Sequence, residues 1–157
     1  GGGQERGRRA GTENTAGIAA LAAALTENCA LMAEEAAHQR ALVAFTAEEL
    51  SRALPDLRVH GSGGAHLPGI LNFGIPHVRG EALVHLLDLR GICVSAASAC
   101  HAGTDAPSHV LRAMGYDDGA AMETLRISYG RGNTMEDAAA IVREIVRAVE
   151  KIRTLRD

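Results

Sequence analysis

The sequence predicts an α/β chain in the form of a small mixed α+β domain. Short apolar segments of strand length stand between glycines and prolines, strands and helices alternate irregularly, and the chain closes on a long amphipathic helical pattern. Irregular alternation favours a small mixed sheet covered by helices over a doubly wound parallel sheet. With 157 residues, 46% of them hydrophobic, one core can form; because only 3% are aromatic and none is Trp, that core must be aliphatic and alanine-rich.

The glycine-rich start leads to capping side chains at Thr12 to Thr15 and a first helix with Ile18, Leu21 and Leu25 at helical spacing, expected to end near Asn28. A second helix should run from about Leu31, carrying Leu42, Phe45, Leu50 and Leu54 beside a charged solvated face, until Pro55 stops it. Leu57 to His60 reads as a short strand, Gly61 to Ala65 as a turn, and Gly69 to Ile75 as a strand closed by Pro76. Gly80 to Arg90 should be helical with Leu83, Leu86 and Leu87 inward. Ile92 to Val94 reads as a buried strand, Ser108 to Met114 as a short helix ended by Gly115, and Thr124 to Tyr129 as a strand. Thr134 caps the last helix, Asp137 occupies the capping-box position, and Ile141, Val142, Ile145, Val149 and Ile152 form its apolar stripe.

Cys100 is the residue that asks for a chemical explanation. It lies between a strand and a helix in a run, Ser95 to Ala106, that offers almost nothing large enough to pack. Structural cysteines sit among large apolar side chains, whereas reactive ones need access and a means of holding a thiolate, for which His101 is a local helper. The spacing leaves both a reactive thiol and an incidental loop thiol open. Cys93 reads as a buried strand residue and Cys29 as a helix-end residue. Six residues separate Cys93 from Cys100, so neither a redox CxxC nor a zinc ribbon is supported.

Five blocks in order resemble the cysteine desulfurases of the class V aminotransferase family. They are GGGQERGRRAGTEN (Gly1 to Asn14), LPGILNFGIP (Leu67 to Pro76), GEALVHLLDLRGICVS (Gly80 to Ser95), the SAC loop followed by PSHVLRAMG (Ser98 to Gly115), and LRISYGRGNT (Leu125 to Thr134). The resemblance covers essentially the whole chain. It implies part of a fold-type I transferase dependent on pyridoxal 5'-phosphate, with residues 1–30 as the tail of the large cofactor-binding domain and residues 31–157 as the small C-terminal domain. The family's Schiff-base lysine lies upstream of the glycine-rich run; the single lysine here, Lys151, stands near the end of the last helix. With no initiator Met and a start inside a motif, the chain is expected to be the C-terminal portion of a longer protein. Its leading helices should then expose apolar side chains that pack on the large domain, and the segment alone should not catalyse.

The resemblance also assigns residues. Cys100 matches the nucleophile that takes sulfur from L-cysteine as a persulfide, with L-alanine released, and a small-residue loop suits a thiol that must travel to an acceptor. Arg126 matches the anchor for the substrate carboxylate, since guanidinium offers a planar two-point fork; strand alternation alone would make it an exposed strand residue. Thr12 matches a threonine that reaches the phosphate of the neighbouring subunit's cofactor, beside its alternative role as a helix cap. Arg6, Arg8 and Arg9 add positive potential or form an ordinary basic surface. One departure is Ala97, where the family has glycine, which would stiffen the loop and slow transfer.

The implied partners are L-cysteine, a second copy in a homodimer, and an iron–sulfur scaffold or other sulfur-acceptor protein. No intrinsic metal site is expected, because His38, His60, His66, His77, His85 and His109 lack ligand spacing, although Cys100 could serve as a transient iron–sulfur ligand. A net charge of −3 gives no basic stripe for nucleic acid. No apolar run was expected to approach the roughly 18 residues that span a bilayer, and three cysteines make no disulfide framework. A cytoplasmic setting follows, with organellar targeting left open. Two other readings stand beside the desulfurase: a selenocysteine lyase, suggested by Ala99-Cys100-His101 but opposed by the six residues between Cys100 and Pro107, and a non-catalytic acceptor-binding domain.

Overall fold

The computed structural model describes residues 2–96 and 107–155. It divides into two compact units, Gly1–Glu35 and Ala36–Asp157.

The first unit begins with a 3-10 turn, Gln4–Gly7, and enters α1, a single helix from Thr15 to Ala53 that continues into the second unit. The expected break near Asn28 does not occur. Glu27-Asn28-Cys29-Ala30 contains neither proline nor glycine, so nothing interrupts the backbone hydrogen bonds. Cys29 is therefore an exposed mid-helix residue. The Asn14 side chain, rather than Thr12, caps α1 by accepting the Gly17 N–H at 3.0 Å. Ile18, Leu21 and Leu25 are 58–70% exposed. By length and composition α1 is apolar enough to cross a membrane, which corrects the expectation that no such run exists. The run is diluted by alanines and a few polar residues, so a search for large apolar side chains passes over it.

In the second unit, α1 presents Leu42, Thr46 and Leu50, one turn apart, to the core, and stops before Pro55. β1 (Arg58–Val59), β2 (Ile70–Gly74) and β3 (Thr124–Ser128) form an antiparallel sheet in that order. It is not the mixed sheet expected; β1 and β2 are joined by a connection too short to return a parallel strand. α2 (Gly80–Asp88) and α5 (Met135–Thr154) pack on one another, and the core joins Phe73, Leu83, Leu87, Leu125, Ile145 and Val149, all essentially inaccessible. The capping box at α5 is present: Thr134 Oγ1 accepts the Asp137 N–H at 3.2 Å, and Asp137 Oδ2 accepts the Thr134 N–H at 2.8 Å.

Two short helices, α3 (His109–Ala113) and α4 (Asp118–Met122), precede β3. Gly115, with φ of 92°, ends the first as its position implied. α4 had no sequence expectation; it starts where Asp117 accepts the Ala120 N–H at 2.8 Å. Ile92 to Val94 is not a strand. That stretch meets the sheet only through an isolated bridge between Ser95 and Arg126, and Cys93 is exposed rather than buried, because without strand pairing its side chain is not turned into the core.

Candidate active site

Alternation along β2 and β3 separates two chemistries. Leu71, Phe73, Leu125 and Ile127 face the core, while Asn72 and Arg126 lie directly opposite one another on the other face. Pairing extends this polar row at both ends. Ser95 and Arg126 exchange backbone hydrogen bonds of 3.1 and 2.7 Å, and the His60 N–H donates to the Asn72 carbonyl at 2.9 Å. Ser95, Arg126, Asn72 and His60 thus cross the sheet side by side.

Arg126 is half-buried, and its Nε is buried with no hydrogen-bond partner among the described residues. Its Nη2 meets Ser95 Oγ only at 3.5 Å, at the limit of a hydrogen bond. A desolvated guanidinium N–H with no acceptor is costly, and a carboxylate is the group that best satisfies it. Arg126 borders a cavity of about 550 Å³ whose polar edge includes His60, Asn72 and Ser108 and whose apolar wall includes Leu111 and Met114. No aspartate or glutamate lines it among the described residues. Ser95 and Ser108 stand on either side of residues 97–106; one touches Arg126 and the other is buried at the cavity edge.

The expected nucleophile Cys100 and its helper His101 lie outside the described residues. Thr12 belongs to the first unit, where it is exposed and its carbonyl accepts from Arg9 Nη1 at 3.2 Å. Arg6 and Arg8 are also exposed. Among the described residues no group of three His, Cys, Asp or Glu side chains is placed to hold a metal ion.

Sequence reading passed over Asn72 and treated His60 as bland. The available signal was parity: in Ile70-Leu71-Asn72-Phe73 and Leu125-Arg126-Ile127, one polar residue interrupts an apolar strand. Only the register shows that the two interruptions meet.

Residues 2–141 match the family described as Aminotransferase class-V, and the chain belongs to that family. Among relatives, the "Cysteine desulfurase" of Frankia sp. (strain EuIK1) is 43% identical over 157 residues, covering 99% of this chain and 37% of that protein. The "Cysteine desulfurase NifS" of Azotobacter vinelandii is 37% identical over 155 residues, covering 99% and 39%. A solved NifS-like protein superposes with a TM-score of 0.80 at 32% identity, with 96% of this chain and 37% of that chain covered. The chain spans little more than a third of the length of the curated relatives it matches. Those shares measure length and do not carry the expected C-terminal position.

Class-V aminotransferases depend on pyridoxal phosphate. Its aldehyde needs a lysine amine, and the sole lysine, Lys151, is exposed on α5 in a surface hollow with Glu144 and Arg147 that shares no lining residue with the Arg126 cavity. The residues of this segment therefore do not fit covalent anchoring of the cofactor.

Proposed function

We propose that the enzyme containing this segment is a cysteine desulfurase, in which Arg126 binds the substrate carboxylate and Cys100 accepts the sulfur. The observation that carries this reading is the buried, unpartnered Nε of Arg126 at a cavity edged by Ser108, with Ser95 against the guanidinium, so that both flanks of the Cys100 segment stand at the same site. Relatives named cysteine desulfurase over nearly the whole chain support it.

Arg126 does the orienting. A carboxylate held by a guanidinium fork at a desolvated edge loses its rotational freedom, which fixes the orientation of the rest of the amino acid. Pyridoxal phosphate, when bound, supplies the electron sink that labilises the substrate. The net exchange balances: the Cys100 thiol and L-cysteine become a Cys100 persulfide and L-alanine. The persulfide then passes to an acceptor, an iron–sulfur scaffold in the leading reading. Thr12 as a phosphate contact across a homodimer, His101 as a thiolate helper, residues 1–30 as the large-domain tail and a cytoplasmic setting belong to the same proposal, on the family resemblance and composition.

The test is Cys100→Ala in the full-length enzyme. Sulfide production from cysteine should be abolished while cofactor absorbance stays intact; normal turnover would reject the assignment.

A further inference from the structure

Arg126 is not the only unspent donor on the open face of the sheet. Its direct partner in the β2–β3 register is Asn72, so the two side chains leave the same face with Cβ atoms about 4.5–5.5 Å apart. Asn72 makes one side-chain hydrogen bond, to His60: Nδ1 of the imidazole stands 2.7 Å from Asn72 Oδ1. An amide oxygen only accepts, so His60 Nδ1–H donates, and the carboxamide is turned with Nδ2 away from the imidazole. Among the described residues, neither N–H bond of Nδ2 has a partner.

His60 is itself held in place. Its ring packs on Tyr116 with centroids 4.4 Å apart, its backbone N–H donates to the Asn72 carbonyl at 2.9 Å, and its Cε1 lies over Gly74, where a Cβ would stand only 3.1 Å away. A half-buried histidine fixed on three sides thus sets the orientation of the neighbouring amide. Asn72 and Arg126 both line the 550 Å³ cavity, which has no acidic side chain among its described lining residues to occupy their donors.

We propose that Asn72, oriented by His60, is a second ligand for the substrate carboxylate: the Arg126 fork engages the carboxylate, and Asn72 Nδ2 donates to the remaining lone pair of one of its oxygens. This rests on the reading of Arg126 as the carboxylate anchor. The added donor from the adjacent strand fixes the position of the fork-bound carboxylate along the sheet, which a long arginine side chain with many rotamers does not fix by itself. Asn72 is accordingly specificity-determining for α-amino acids that carry a free carboxylate, and His60 is a positioning residue that acts through it.

The experiment uses the full-length holoenzyme with two readouts: the separate kcat and KM for L-cysteine, and the calorimetric dissociation constant of the unreactive product L-alanine. A hydrogen bond to a charged group contributes enough that Asn72→Ala should raise both KM and the L-alanine constant about tenfold, with kcat changed far less. Asn72→Asp should raise them further, because its carboxylate repels the ligand and occupies Arg126. His60→Ala should produce a smaller rise in both constants, partly rescued by His60→Gln, whose amide N–H can still donate to Asn72; a merely structural histidine would not shift ligand affinity in this graded way. Should Asn72→Ala fail to fold, Asn72→Ser carries the same comparison. Unchanged KM and L-alanine affinity in the Asn72 variant, while Arg126→Ala raises both, would overturn the role of Asn72 alone. Unchanged values in Arg126→Ala as well would overturn the underlying reading of the site.

Discussion

The Thr46–Tyr129 hydrogen bond is the interaction of the core whose loss can be worked out most fully. Thr46 is completely buried on α1; its Oγ1 donates to the Leu42 carbonyl at 2.8 Å and lies 2.7 Å from the hydroxyl of Tyr129, which therefore acts as the donor between the two. Thr46→Val preserves shape and leaves the Tyr129 hydroxyl, on a residue only 8% exposed, without an acceptor. Leu42 loses little, since its carbonyl retains the helical N–H. The expected cost is about 1–3 kcal/mol, the penalty for an unsatisfied buried donor. Tyr129→Phe removes the donor itself and should cost about 0.5–1.5 kcal/mol. The double variant strands no polar group, so its loss should fall short of the sum by about 1 kcal/mol. Urea unfolding of the 157-residue chain, followed by far-ultraviolet circular dichroism, reads this as a midpoint lowered by about 0.5–1 M for Thr46→Val at unchanged slope. The bond also has a pH signature. Burial first, and the Asp137 carboxylate less, raise the Tyr129 pKa above its ordinary 10.0, against the opposing effect of the Thr46 hydroxyl, which can turn its proton toward the phenolate once Tyr129 ionises. A raised folded-state pKa means that the unfolded chain loses the proton first, so this contribution is complete below about pH 10 and disappears as pH climbs through the folded value. Tyr129→Phe should remove that part of the alkaline decline. Strict additivity of the two substitutions, or an alkaline decline identical in Tyr129→Phe, would refute the reasoning.

Gly80 opens α2 against the Thr124 carbonyl, and a Cβ there would collide with that backbone; Gly80→Ala should destabilise the chain by about 1–3 kcal/mol or more in the same unfolding assay, and wild-type stability would show that the α2–β3 contact yields without strain. In the full-length enzyme Arg126→Ala should lower kcat/KM for cysteine about a hundredfold or more. Arg126→Lys should recover only part of that loss, because the ammonium has no planar fork; full recovery would show that charge alone suffices.

Elements whose signals are local were legible in the order of residues. The α5 stripe repeats on a helical period and Thr134 with Asp137 closes a box over one turn, so both follow from neighbours within a few positions. Gly115 and Pro55 act on their own backbone and mark helix ends wherever the rest of the chain lies. The glycine-rich run, the Cys100 loop and the Leu125 to Ser128 strand likewise pointed to the family without any structure. What failed locally were the weak boundaries: a break in α1 that no proline or glycine enforces, and a strand at Ile92 to Val94, whose apolar residues have strand propensity but no partner beyond the bridge at Ser95.

The grouping of the polar row was decided by tertiary structure alone. His60, Asn72, Ser95 and Arg126 are dispersed along the chain; Arg126 stood out through its motif, whereas His60, Asn72 and Ser95, each taken singly, are unremarkable polar residues. Strand register determines which of them are opposite, and a slip of one residue would turn Asn72 into the core and leave Arg126 without its neighbour. Register is set by burial of Leu71, Phe73, Leu125 and Ile127 against helices distant in sequence, a property of the whole core that no short stretch contains. Periodicity and caps therefore reveal elements, whereas the site depends on how long-range packing aligns them.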